Sequence, residues 1–517
     1  MKDEMDRSMT GLKADGQEPP FYADYRVNVS KSLELNSVLG GLVSSTYNPI
    51  MVTGSLNWQV GDSICSNSPM SISMNMGNRV EYDAIRNILW QAGDYVYKNA
   101  IRTYTQKEGA LKNNPKPESE AGLPEIISLP GGEYIYESVQ DVQIDRAQLE
   151  ELVNKLSAIY LDYPQLYKTN VNLGIQYVDV YRLNSEGLKI RMPYTPGYIE
   201  TMVSVRNADG VELTENYDIP FDARDYDADK IAANIREFAD AMVKKSNAET
   251  VDDFYIGPIL LEKQAVSESF HTIVKNYGTA RNTWDLYASL YRYTTNTQSS
   301  LTGYQLLGKR FLDTKLSIHL YSDLKEYKGK KIAGAYDVDF DGVKPDPDFV
   351  MVENGMLKRL IGGRYPAAGA PRATGHAMIQ DYSTVGNNKM SIMHVTCSKT
   401  IPQSKIKARL ISEAKKAGLD HTYMLRNIEY NCYILTRIDV KTGQETIINA
   451  DIPAFERREL MHVITASKEE EIQSSIFNGN TLSTMIAPES MILESVEMNI
   501  KKPTKAQEFQ LINPAWR

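Results

Sequence analysis

Apolar and polar residues alternate along residues 21–76, through Tyr25-Arg26-Val27-Asn28-Val29, Gly41-Leu42-Val43-Ser44-Ser45 and Met70-Ser71-Ile72-Ser73-Met74, with breaks at Asn48-Pro49 and Asn67-Ser68-Pro69. A period of two puts successive side chains on opposite faces, so this stretch predicts several antiparallel strands. The period then changes. Ile85, Ile88, Leu89, Ala92, Val96 and Ala100 recur at three-and-four spacing and predict one long helix over 81–107 that covers the sheet. Residues 112–120 are polar, proline-bearing and aperiodic, as a surface loop would be. A second helix is predicted over 145–161, capped by Asp145, with Leu149, Leu152, Val153, Leu156 and Ile159 as its apolar stripe.

Alternation returns over 171–193 around Asn184-Ser185-Glu186-Gly187, a hairpin signal because Asn and Gly tolerate the positive φ of a tight turn. Another strand pair is predicted across Asn207-Ala208-Asp209-Gly210. A helix follows over 227–245, with Ile231, Ile235, Phe238, Ala239 and Met242 on one side. At Gly257-Pro258-Ile259-Leu260-Leu261 a short apolar run reads as the end of a buried strand. It passes at once into a helical pattern in which Ala265, Val266, Ser269, Phe270, Ile273 and Val274 face inward, leaving Lys263, Glu268 and Lys275 for water. Beyond it lie an alternating run over 315–321, two strands about a turn over 331–364 with the hairpin signal Asn354-Gly355, a helix over 406–417, and strands to the end.

At 517 residues the chain is too long for a single core. The expected division is an extension over 1–20 ended by Pro19-Pro20, a domain over 21–250 and a domain over 251–517, with the boundary near the polar residues 246–250. The fold class is α+β: an N-terminal α/β domain with antiparallel sheet and covering helices, then a mostly β C-terminal domain. A net charge of −9 without basic blocks argues against a nucleic-acid partner. Three cysteines, Cys65, Cys397 and Cys432, make no disulfide framework, and no apolar stretch spans a membrane. The expectation is a cytoplasmic protein without membrane contact, or a periplasmic one if a leader has been trimmed.

Several of these segments together resemble the TldD/PmbA family, whose members are also described as modulators of DNA gyrase. The carriers are Asn184-Ser185-Glu186-Gly187, the block from Gly334-Ala335-Tyr336-Asp337 through Asn354-Gly355 to Arg364-Tyr365-Pro366, Thr374-Gly375-His376-Ala377 where the family usually has Thr-Gly-Asn-Ala, and Ile486-Ala487-Pro488-Glu489. The resemblance runs from about residue 25 to about residue 497. It implies a two-subunit zinc peptidase acting on peptides, in which one subunit holds zinc and the PmbA-like subunit completes the chamber. In the catalytic type, the helix after Gly-Pro-Ile-Leu-Leu carries His-Glu-x-x-x-His, two zinc ligands flanking a general base. Here Glu262, Lys263 and either Ser267 or Glu268 stand at those places, and no cysteine follows Cys432. The resemblance therefore implies a PmbA-like member without a zinc site or cofactor of its own, paired as a dimer with a TldD-like zinc-bearing homologue.

Two other readings stay open: a binding or scaffold protein on the same fold, and a peptidase with a rebuilt site using Glu262, Glu268 and His271. Glu268 and His271 lie three apart on a helix and could share a metal, against the plainer reading of a surface carboxylate beside a half-buried histidine. The acids of residues 337–348 have the spacing of a calcium loop, but flanking strands and two prolines favour a solvated acidic turn. Arg364, Arg372, His376 and Asn387 lie in the Gly- and Ala-rich residues 362–388, either gripping a peptide or lining a structural loop. Neither a nucleophile elbow nor a phosphate loop is present.

Overall fold

The structure, a computed structural model, describes residues 1–12, 19–113, 115–207, 210–280, 303–379, 383–384, 387–427, 432–450, 455–477 and 481–501. The centre of the predicted 207–210 turn and part of residues 362–388 lie outside the described residues. Three large sheets organise the chain.

The first sheet is built on one long hairpin, Tyr22–Val38 against Gly41–Gln59, rather than on several short strands. Its turn passes through Leu39 at φ 48° and Gly40 at φ 85°. Tyr22–Val38 also pairs antiparallel with Leu166–Asn184, which returns through Asn184 into Leu188–Tyr194 and on its other half pairs with Gly197–Arg206. The predicted hairpin is present, closed by the Asn184 side chain, which accepts from the backbone N–H groups of Glu186 and Leu188. The free edge beyond Gly197–Arg206 is Glu212–Pro220. Two helices, Arg146–Ala158 and Ala228–Ser246, cover one part of this sheet. Each is capped by an aspartate, Asp145 and Asp227, accepting from first-turn backbone N–H groups. The long helix Tyr82–Asn113 lays Leu89 and Val96 over Trp58 and Leu56.

In the second sheet Asp253–Lys263 lies centrally between Ser490–Ile500, antiparallel, and His421–Asn427, parallel. The unbroken apolar run 259–261 has a direct cause. Ile259 and Leu261 enter a core shared with the helix Gln264–Ile273 and the third sheet, while Leu260 enters a separate core under the helix Gln403–Lys416. With both faces covered, alternation gives way to continuous hydrophobicity.

The third sheet runs Met356–Leu357, Asp348–Glu353, Leu316–Tyr321, Ile392–Cys397, Thr481–Pro488 and Glu470–Phe477, so that Glu470–Phe477 is an edge. Asn354 at φ 47° and Gly355 at φ 77° make the predicted hairpin turn. The stretch 334–347 departs from the expected strand. It is irregular and packs against the first sheet, because Asp339 and Asp341 are buried rather than solvated. Asp339 accepts from the backbone N–H groups of Asp341, Val343 and Ala377, and Asp341 pairs with Arg182 at 2.9 Å. Carboxylates committed in this way hold a loop to its neighbours. Together the sheets form a mixed α+β architecture with a mostly β C-terminal half.

Candidate functional site

At the junction of Asp253–Lys263 with Gln264–Ile273, Lys263 adopts φ 53° and ψ −129°, a left-handed conformation that a non-glycine residue holds only when its surroundings impose it. Its N–H donates to the Glu489 carbonyl at 2.7 Å. The turn launches the helix with Ala265, Val266, Phe270 and Ile273 in the core, as the pattern required.

Glu268 differs from expectation, for it is half-buried and its carboxylate is held by protein donors. Its carboxylate accepts from Gln264 Nε2 at 3.0 Å, Asn427 Nδ2 at 2.5 Å and the Tyr433 hydroxyl at 3.1 Å. Burial dominates and pushes this carboxyl up to about 7 despite the three donors, which act in the opposite direction. Burial also raises Glu262, with Arg426 opposing and Glu489 and Glu445 adding to the rise. His271 is held down to about 4, first by burial and then by Lys275 and Lys389. Ser267, the alternative motif position, donates to Gln473 Oε1 at 2.8 Å.

A zinc site needs three or more N, S or O ligands converging, and here both oxygens of Glu268 already accept from protein donors.

The junction opens on a cleft of about 930 Å³. One wall is the edge strand Glu212–Pro220, with Tyr217 and Ile219, and the helix Ala228–Ser246, with Lys230 and Glu237. The other is Lys263, Gln264, Arg426 and Asn427, and residues 471–474 of the edge strand Glu470–Phe477. Two sheet edges thus border one cleft, and of the motif positions Glu262, Lys263, Ser267 and Glu268 it is Lys263 that lines it. Register explains the last pair: Arg426 and Asn427 lie opposite Glu262 and Lys263 in the parallel ladder.

The second group of sequence candidates lies elsewhere. Arg364, 3% exposed, pairs with Glu186 at 2.5 Å and covers the Tyr22 ring at 4.9 Å. His376, also buried, bonds through Nδ1 to the Thr374 carbonyl at 2.9 Å and packs edge-on to Phe349. Arg372 is exposed, and Asn387 lies in the two-residue strand Asn387–Asn388. Arg364, Arg372 and His376 do not line the cleft. The small residues around them serve packing: a Cβ at Gly362 would meet the Arg372 carbonyl oxygen at 2.6 Å, and one at Gly363 would meet the Asn388 amide at 2.4 Å.

No protein-family profile and no curated protein matches the sequence. Solved structures do. A candidate modulator of DNA gyrase from Thermotoga maritima matches over 96% of this chain and 99% of its own, with a TM-score of 0.58 at 12% identity. TldE from Thermococcus kodakarensis matches over 92% and 96%, at 0.53 and 12%. A candidate modulator of DNA gyrase from Bacteroides thetaiotaomicron matches over 96% and 98%, at 0.56 and 11%. The chain has the TldD/PmbA fold. The resemblance read from scattered turns and strand ends is thus carried by the whole architecture, while so low an identity leaves chemistry to be argued from the cleft. On the TldD/PmbA fold the decisive residues were only half visible in sequence. Gln264 stood in the stretch that drew attention. Arg426, Asn427 and Glu471 reach it from far along the chain and gave no local signal.

Proposed function

We propose that the chain is a peptide-handling subunit of a TldD/PmbA-type peptidase complex, a PmbA-like member that shapes the chamber while a zinc-bearing homologue performs the cleavage. The observation that carries this reading is the cleft at the strand–helix junction, bordered by the sheet edges Glu212–Pro220 and Glu470–Phe477. Edge strands offer unpaired backbone donors and acceptors, which an extended peptide satisfies and a folded protein does not. Where a catalytic helix would present imidazoles, this one presents Gln264, an amide that binds and orients but does not generate a zinc-bound nucleophile. The rebuilt-site reading is weaker. A carboxyl near 7 suits acid–base work, yet Glu268 is engaged by three protein donors and is not among the residues that line the cleft.

Reconstitution tests the proposal. The purified chain should leave an unstructured peptide intact, and mixing it with a zinc-bearing homologue from the same genome should give a complex that cleaves the peptide faster than that homologue alone. Glu262→Ala in this chain should change turnover by less than about threefold, because the side chain takes no part in the chemistry. Cleavage by the isolated chain that disappears in Glu262→Ala would replace the proposal with the rebuilt site. Binding of peptide without any effect on the homologue would favour the scaffold reading.

A further inference from the structure

Within the cleft, hydrogen-bonding atoms are left over in a pattern that names a ligand. Gln264 and Asn427 are 2% and 1% exposed, and both line the cleft. Each gives its amide NH2 to Glu268. An amide held by its nitrogen turns its oxygen the other way, and the two carbonyl oxygens, Gln264 Oε1 and Asn427 Oδ1, are buried without a hydrogen-bond partner. Glu471 adds a carboxylate oxygen, Oε2, in the same state, and Arg426 adds a donor, Nε. Buried polar groups are rarely left unpaired, and four residues with such atoms lining one cleft call for a partner.

The chemistry of that partner follows from the signs. Three acceptors, one of them anionic, ask for a group with several N–H donors and a positive charge, which is a primary ammonium. The single donor asks for an adjacent acceptor. Arg426 and Lys263 favour the charged form of Glu262, and Lys263, Arg426 and Lys330 that of Glu471, yet burial outweighs them and keeps both carboxyls above their ordinary range. Glu237 pairs with Arg426 through Nη2 at 2.8 Å, which leaves Nε free to donate. A peptide N-terminus supplies both requirements, its ammonium lying one carbon from its first carbonyl.

Resting on the peptide-handling reading above, we propose that Gln264, Asn427 and Glu471 form a subsite for a primary ammonium group, with Arg426 Nε receiving the neighbouring carbonyl oxygen. Glu268 is a positioning residue: it orients the two amides and does not touch the ligand. The N-terminus of a peptide is the favoured source, and a lysine side chain, which lacks the adjacent carbonyl, is the other source of the same group.

The test is equilibrium binding of three pentapeptides of apolar sequence, labelled at the C-terminus, to the full chain: one with a free N-terminus, one N-acetylated, and one N-acetylated with an internal lysine. The free N-terminus should bind at least tenfold tighter than the acetylated peptide, and the lysine peptide should fall between them. In Asn427→Leu the advantage of the free amine should drop to twofold or less, with binding of the acetylated peptide unchanged. Should that variant not fold, Gln264→Met, checked by its thermal melt, gives the same readout. A lysine peptide that binds as tightly as the free N-terminus would keep the ammonium subsite and assign it to side chains. Equal binding of all three would overturn the subsite and leave the peptide reading standing. Binding of none would overturn both.

Discussion

Glu268 is half-buried among donors, and its desolvation outweighs them. In the folded chain its carboxyl titrates near 7, whereas an exposed carboxyl of this type titrates at 4.5. Between those values the folded protein keeps a proton that the unfolded chain has released. Stability from this group is therefore complete below about pH 4.5 and is lost as pH rises through about 7. Glu268→Gln removes that dependence. Measured by chemical denaturation, wild type should lose stability relative to the variant between pH 5 and pH 8, by about 2–3 kcal/mol, the part of a rise from 4.5 to about 7 that falls in that window. His271, depressed to about 4, acts in the opposite sense at lower pH but is common to both proteins and cancels in the difference. Parallel pH profiles for the two proteins would show that Glu268 is solvated instead.

The strand Asp253–Lys263 shows how position within an element sets energetic weight. Ile259, Leu260 and Leu261 are 1%, 0% and 0% exposed because cores lie on both faces, while Ile256, three residues earlier, is 52% exposed. Leu260→Ala should cost about 2–5 kcal/mol, the usual cost of a large-to-small change at a fully buried site. Ile256→Ala, the same chemistry on the same strand, should stay within about 0.5 kcal/mol. Urea titrations of the two variants decide it. Equal losses would mean that the exposed half of the strand is covered in solution. The following helix gains its fixed direction from the left-handed turn at Lys263, and the parallel strand His421–Asn427 brings Arg426 and Asn427 alongside it.

Across the molecule, the first sheet is tied to the loop 334–347 by charge. Arg182, 1% exposed in its side chain, pairs with Asp24 at 2.6 Å and Asp341 at 2.9 Å, and its guanidinium lies over the Phe340 ring at 4.4 Å. Arg364 extends the network to Glu186. Such a network contributes little net stability over an apolar replacement, but losing one partner strands the rest. Arg182→Met leaves Asp24 and Asp341 buried without their cation and should cost about 3–5 kcal/mol, read from the shift in denaturation midpoint. A loss below about 1 kcal/mol would show that water or movement of the loop relieves the two carboxylates. No helix among the described residues is long and apolar enough to cross a membrane.

Local chemistry was fully legible in the sequence. The positive-φ turns at Asn184-Ser185-Glu186-Gly187 and Asn354-Gly355, the aspartate caps at Asp145 and Asp227, and the strand-to-helix change after Gly257 are each specified by residues within a few positions of one another. Those choices depend on backbone sterics and periodicity alone. The scattered resemblance sufficed for the fold because turns and buried runs recur wherever the same sheets are assembled. Tertiary structure alone decided the rest. Whether Glu268 meets water or two amides depends on Asn427 arriving from a parallel strand, and whether Asp339 and Asp341 are solvated depends on Arg182 arriving from another sheet. Burial, and with it the raised carboxyls of Glu262 and Glu268, is a property of what the rest of the chain places around a residue. The cleft that joins Gln264 to Glu471 exists only once separate sheets have brought their edges together.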